Sequence, residues 1–308
     1  MKLQKLHLIE RAPSRFFASL LACSALLVAG CNSGLPAPSS KDYLDFVSAF
    51  YVGLAALQVG DDVRAESSLG KAAKLAPGEP VAWANWGVLA LRQRNFDIAQ
   101  ERLTRAHELA QKDDHIKYLL GVLESDRGNS SGAIADLRET IKLNPSNLQA
   151  AYQLALEVER QGGPDGEAEF QRLVTQILAV QPNNLAALLE LSRIAAKRGD
   201  GATLRSAVGR ITAQSASWPA DGKAQLAELQ TASTATPPTA AAIRSVFLRN
   251  VLMQVQAFRQ NLAVIKAAPG EEAKPFLHFL RLPTPDGKPA APDLSRGSQP
   301  IRRGKRTS

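Results

Sequence analysis

The sequence predicts an all-α fold assembled from stacked repeats, and two observations predict it. Small and apolar residues recur every 34 positions: Gly53, Gly87 and Gly121 keep that spacing, as do Ala65, Ala99 and Ala133, and Leu69, Leu103 and Leu137. Residues that end helices punctuate the same period, with Gly60 and Gly128 near its middle and Pro77 and Pro145 at its close. A fixed period of this size marks units that bury their apolar faces only against one another.

The first element is a leader, residues 1–30. Lys2, Lys5, Arg11 and Arg15 precede an apolar run from Phe16 to Ala29, the charged and apolar regions of an export signal. A permanent membrane helix is the weaker reading, because a bilayer core needs about 20 apolar residues and this run is shorter and holds Ser19 and Ser24. The run ends in "LVAGC", which resembles the lipobox of bacterial lipoproteins. The resemblance implies that Cys31 becomes the mature N-terminus and carries the lipid that holds the protein to the membrane. Asn32 after it leans toward the periplasmic face of the outer membrane. The competing reading is an ordinary free cysteine behind a secretory signal. Cys23, the other cysteine, is a poorer lipidation site and leaves with the signal, so the mature chain has no pair to oxidise. Residues 31–42 read as a flexible tether.

Composition narrows the partners. At 45% hydrophobic and 21% charged the chain can bury a sizeable core. Its formal charge of +8 invites a nucleic-acid reading. The leader holds four basic side chains against one acidic, and the last fifteen residues hold five against none, which leaves 28 of each sign between them. No basic stripe marks a phosphate-binding surface, so no nucleic-acid partner is expected.

The repeats begin at Phe46, Pro80 and Asp114. Gly53, Gly87 and Gly121 fall where a first helix must approach its partner closely, with Ala65, Ala99 and Ala133 expected at the matching point on the second. This pattern resembles the tetratricopeptide repeat, a helix–turn–helix unit, and the resemblance implies a right-handed superhelix. Repeat two departs from it with Arg94 and Gln111 where the others have glycine and proline. A fourth unit runs from Leu148 to about Asn184, with "GGPDG" stretching its inter-helix turn, since Pro145 and Pro182 lie 37 apart. A fifth runs from Leu185 to near Ile211, carrying Ser192, Gly199 and Leu204. Residues 43–211 are thus expected to form about ten helices.

In that family the first helix of each repeat lines the groove. The resemblance assigns to it Phe50, Tyr51, Leu54, Leu57, Val81, Asn85, Val88, Arg92, His115, Tyr118, Val122, Tyr152 and Leu156. The positions that capture a carboxylate in some members read Phe50, Leu54, Asn85, His115 and Leu119, and only Asn85 matches. A protein or peptide partner with an apolar or aromatic segment suits the surface better. The same side chains read equally well as packing between helices. Trp83 and Trp86 are expected to fill the interface of repeats one and two.

Chemistry of other kinds finds little support. "GNSSG", residues 128–132, matches a hydrolase elbow in letters, but that elbow needs a strand feeding a helix, and Ser130 lies in a turn between repeat helices. No histidine pair has metal-ligand spacing, and the acidic residues of "KDDH" before and at the start of a helix read as caps. No cofactor, no metal and no enzymatic activity is expected.

Residues 212–268 are read as C-terminal helices. A short one spans Asp221 to Leu229. A longer one is implied by Phe247, Val251, Val255, Phe258, Leu262 and Ile265, which recur every three or four residues. It either caps the open end of the array or binds a partner. Residues 269–308 are read as a proline-rich linker and a basic, disordered tail. "FLRLP" within them resembles the junction of bacterial proteins in which tetratricopeptide repeats precede FG-GAP-type β-propeller repeats and an UnbV-like module. The sequence ends where that propeller would begin, so its basic ending reads as a genuine tail or as the read-through of a truncated gene. The function expected is a lipid-anchored envelope scaffold binding a partner in its groove; the alternative is a non-catalytic module that positions a propeller or enzyme domain.

Overall fold

The computed structural model describes residues 35–37 and 39–266. The leader, Cys31 and the tail at 269–308 lie outside the described residues. Within them the chain forms thirteen helices and no strand.

Ten helices make five antiparallel pairs: α1 (Lys41–Val59) with α2 (Asp62–Leu75), α3 (Pro80–Arg92) with α4 (Phe96–Leu109), α5 (Asp114–Asp126) with α6 (Ser130–Leu143), α7 (Leu148–Gln161) with α8 (Gly163–Val180), and α9 (Leu185–Lys197) with α10 (Gly201–Thr212). Each second helix also packs on the first helix of the next pair. Short side chains start these helices by accepting from exposed backbone amides. Asp61 takes Arg64 N at 3.1 Å, Asp113 takes His115 N at 2.9 Å, and Asn147 and Asn184 each serve the third amide onward at 3.0 Å. The "KDDH" acids are therefore a cap and a strut: Asp114 accepts from Asn144 and Asn147 at 3.0 Å.

The repeated glycines mark the closest contact within each pair. A Cβ on Gly53, Gly87 or Gly121 would lie 2.7, 2.8 or 2.9 Å from the side chain of Leu69, Leu103 or Leu137. The partner of the glycine is thus the leucine. Ala65, Ala99 and Ala133 sit one turn earlier on the same helix, fully buried, and are not the matching point. The turns of repeats one and three use Gly60 and Gly128 in the left-handed region, and Arg94 takes that conformation in repeat two with φ 57°.

Repeat four corrects an expectation. Its extra residues do not lengthen the turn; they extend the second helix to 18 residues, against 14 in α2, α4 and α6, with the cap Gly162 and the first helical residue Gly163 both at φ 79°. Two large apolar clusters meet at α5, which gives Leu119, Leu120 and Leu123 to one and Tyr118 and Val122 to the other.

The C-terminal stripe is not one helix. It divides into α12 (Ala240–Leu252) and α13 (Gln256–Ile265), preceded by α11 (Ala220–Ser233). The break at 253–255 changes which face is buried, so α12 packs through Ala241, Ser245, Leu248 and Leu252 while Phe247 is exposed. α11 rests on α10, α12 on α11 and α9, and α13 on α9 and α7.

Candidate functional site

The first helices touch one another, α1 against α3 and α3 against α5, more closely than second helices do. They therefore line the inner curve of the array, and the candidate groove is the face they form.

Over repeats one to three the structure buries much of the expected lining. Phe50, Leu54, Asn85, Val88 and Tyr118 are all buried, and so is Tyr152 in repeat four, where Glu190 of α9 and Arg249 of α12 lie beside it. Phe50, Leu54 and Val88 belong to the core cluster of repeats one and two, and Tyr118 and Tyr152 to that of repeats three to five. Asn85 donates to Val81 O at 2.9 Å within its own helix. These side chains act in packing, and their assignment to an open groove is corrected. Tyr51 is 41% exposed and meets the Phe50 ring edge-on at 5.7 Å. His115 keeps 35% of its side chain exposed, and Leu156 is half-buried.

Arg92 is likewise drawn away from a partner. Its guanidinium pairs with Asp62 and donates to Leu57 O, joining α3 to the preceding repeat. Arg127 repeats this joint one unit later, reaching Asp97 at 2.8 Å and Phe96 O at 3.0 Å. The Trp83 and Trp86 rings meet at a tilt of 43° with centres 5.7 Å apart, partly buried between repeats one and two. The Arg102 guanidinium lies 3.7 Å above the Trp86 ring and holds Glu66 at 2.7 Å.

Ser130, the serine of the hydrolase-like string, donates to Glu157 at 2.6 Å from the start of α6. Glu157 is fully buried and also accepts from Ser125 and, at 3.0 Å, from Arg160. The arrangement fastens repeat three to repeat four. Among the described residues no cluster of three metal-ligating side chains forms.

Over repeats four and five the groove contains a polar centre that sequence reasoning missed. Glu190 on α9 is 5% exposed. It accepts from Arg193 at 2.7 Å, from Arg249 of α12 at 3.2 Å and from the Tyr152 hydroxyl at 3.5 Å. Arg193 also grips Glu159 through two bonds of 2.7 and 2.8 Å and lies 5.0 Å from the Phe170 ring centre. Burial, with the Glu190 charge beside it, pushes the Tyr152 hydroxyl well above the ordinary phenol range. Burial alone would lower the Arg193 value, but the Glu159 and Glu190 carboxylates outweigh it and raise it. A cavity of about 300 Å³ opens beside Glu190, walled by Tyr152 and Ala186 below and Arg249, Met253 and Phe258 above. A lone glutamate within the apolar run of α9 was the available signal. Its partner Arg249 lies 59 residues on, and no local pattern announces that.

The tetratricopeptide repeat family model matches residues 118–177. Among solved structures, the chain is similar to pilF of Pseudomonas aeruginosa, with a TM-score of 0.52 and 16% identity over 73% of this chain and 99% of that one. It is also similar to a tetratricopeptide repeat protein from Parabacteroides merdae, with a TM-score of 0.51 and 19% identity over 75% and 90%. At these identities the likeness is one of fold. No curated protein matches the chain. The architecture is a tetratricopeptide-type superhelix, all-α, with C-terminal helices added.

Proposed function

We propose, from the premise of a tetratricopeptide-type superhelix, that this protein is a lipid-anchored scaffold of the bacterial cell envelope, which holds a protein or peptide partner against its inner face. A fold of this type has the protein-binding role of a scaffold as its ordinary use. The observation that carries the finer reading is the partial exposure of Tyr51 on α1 and His115 on α5, an aromatic ring and a polar edge among otherwise buried first-helix residues. That combination suits a segment with apolar or aromatic side chains, since exposed rings anchor such contacts at low entropic cost. Attachment through Cys31 rests on "LVAGC" behind a basic, apolar leader. The second reading, a module that positions a β-propeller, rests on "FLRLP" at residues 279–283, in the tail.

The test is an affinity capture from envelope extracts with the wild-type chain and with Tyr51→Ala/His115→Ala. The double variant is expected to lose the captured partner while its melting temperature stays within a few degrees of wild type, because neither side chain belongs to a buried apolar cluster. Capture at wild-type level by a folded double variant would place the contact elsewhere.

A further inference from the structure

The C-terminal helix α13 lies on the groove as a bound helix would. It crosses α7 and α9 and turns Phe258, Leu262 and Ile265 toward them, at i, i+4 and i+7, with Phe258 and Ile265 fully buried. Its outward residues Gln256, Arg259, Gln260 and Val264 are exposed. That spacing is the anchor pattern by which amphipathic helices enter apolar grooves.

A polar key fixes the register. Asn261 accepts from Leu185 N at 2.6 Å, one of the amides left open at the start of α9, while its carbonyl accepts from Asn184 Nδ2 at 3.0 Å.

The fit is incomplete. The cavity of about 300 Å³ lies between α13, α12 and the first helices of repeats four and five, so part of the surface beneath α13 is uncovered. Ten residues are also too few for a helix to persist alone in water. α13 is held by its docking.

We propose that α13 is an internal stand-in for a partner: the site formed by α7, α9 and α12 accepts an amphipathic helix with large apolar residues at i, i+4 and i+7 and a side-chain amide or carboxylate at i+3, and α13 must leave before that helix enters. The i+3 group takes the place of Asn261 at the start of α9, where a carboxylate gains from the helix dipole as well. Tethering gives α13 an effective concentration in the millimolar range, so it outcompetes a weak free helix and yields to a tighter one. The proposal depends on the inner face being a binding surface. Its test uses α7, α9 and α13 and not Tyr51 or His115, so either reading can fail without the other.

The probe is a fluorescent synthetic peptide of residues 256–266, QAFRQNLAVIK, titrated by anisotropy into the full chain and into the full chain carrying Phe258→Asp and Ile265→Asp. The variant, with its own α13 expelled, is expected to bind the peptide at least about tenfold more tightly than wild type, because occupancy of the site by α13 lowers apparent affinity in proportion. A peptide carrying the same two aspartates should not bind. Equal binding by wild type and a folded variant, or no binding by either, overturns the proposal. Should the double variant fail to fold, Asn261→Ala removes only the key at α9. It should then raise peptide affinity severalfold, and a folded Asn261→Ala chain that shows no increase overturns the proposal equally.

Discussion

Two glycines show how position decides what a single residue does. Gly87 sits against Leu103 so closely that a methyl group there would lie 2.8 Å from its side chain. Gly209, exposed on α10, would meet nothing within 4 Å. Gly87→Ala is therefore expected to cost about 1 to 3 kcal/mol through overpacking, whereas Gly209→Ala should stabilise by about 0.5 to 1 kcal/mol, because a helical glycine loses more backbone freedom than alanine. Denaturant melts of the two variants check this. Opposite signs are expected, and a destabilised Gly209→Ala would mean that α10 packs differently. Arg94 is the converse case. Three effects nearly offset one another in Arg94→Gly: relief of the left-handed conformation, loss of the contact with Phe96, 5.3 Å away, and added freedom in the unfolded chain.

At the scale of the element, pairs of helices are held by charge as well as by apolar contact, and α5 with α6 gives the clearest pH dependence. Lys117 Nζ lies 2.8 Å from Asp136 and 3.0 Å from Glu139, with 12% of its side chain exposed. Burial alone would lower the Lys117 value, but the bonds to the two carboxylates outweigh it and raise it above the ordinary 10.5. The bond from Lys117, assisted by the nearby His107 and Lys142 charges, holds Glu139 below 4.5. A raised lysine stabilises fully below its unfolded value, and that contribution is lost as pH rises through the folded value. A depressed glutamate stabilises above its unfolded value, and that part is lost as pH falls through the folded one. Wild type should thus lose stability above pH 10.5 more steeply than Lys117→Met, measured by urea midpoints across the alkaline range. Parallel curves for the two chains would show that the cluster contributes nothing to the alkaline loss.

On the scale of the whole molecule, the array has two unlike ends. Repeats one to three leave Tyr51 and His115 accessible, while repeats four and five are covered from within by α12 and α13, keyed through Glu190 with Arg249, Ser192 with Ser245 at 2.8 Å, and Leu185 with Asn261. Helix α1, which begins at Lys41, lies at the accessible end, so a lipid on Cys31 would hold that end near the membrane. The prediction is that a fatty-acid analogue fed to cells labels the wild-type chain and not Cys31→Ser, and that the variant leaves the membrane fraction. One acyl chain anchors only marginally, so stable fractionation needs more than one. Equal labelling of both chains, or of neither, would remove the anchor from the proposed function.

The repeat architecture was legible because its determinants are local and periodic. Gly53, Gly87 and Gly121 recur every 34 residues since each pair of helices must solve the same close approach, and Gly60 and Gly128 mark turns that favour glycine wherever they occur. The groove was legible only as a face. Register assigns Tyr51, Tyr118 and Tyr152 to the first helices, but whether each ring is open or covered depends on how closely the next helix lies, and the structure covers Tyr118 and Tyr152 while leaving Tyr51 exposed. The C-terminal stripe misled for a related reason: Phe247 to Ile265 keeps a helical period, yet a three-residue break rotates the second part, and periodicity carries no information on such a rotation. By itself the sequence determined the number, order and pairing of the repeat helices, because those follow from contacts between chain neighbours. Only the tertiary structure decided that Glu190 meets Arg249 and that α13 lies across α7 and α9. Those contacts join residues about 60 to 115 positions apart, and nothing in the local pattern fixes where a chain that has finished its repeats will fold back.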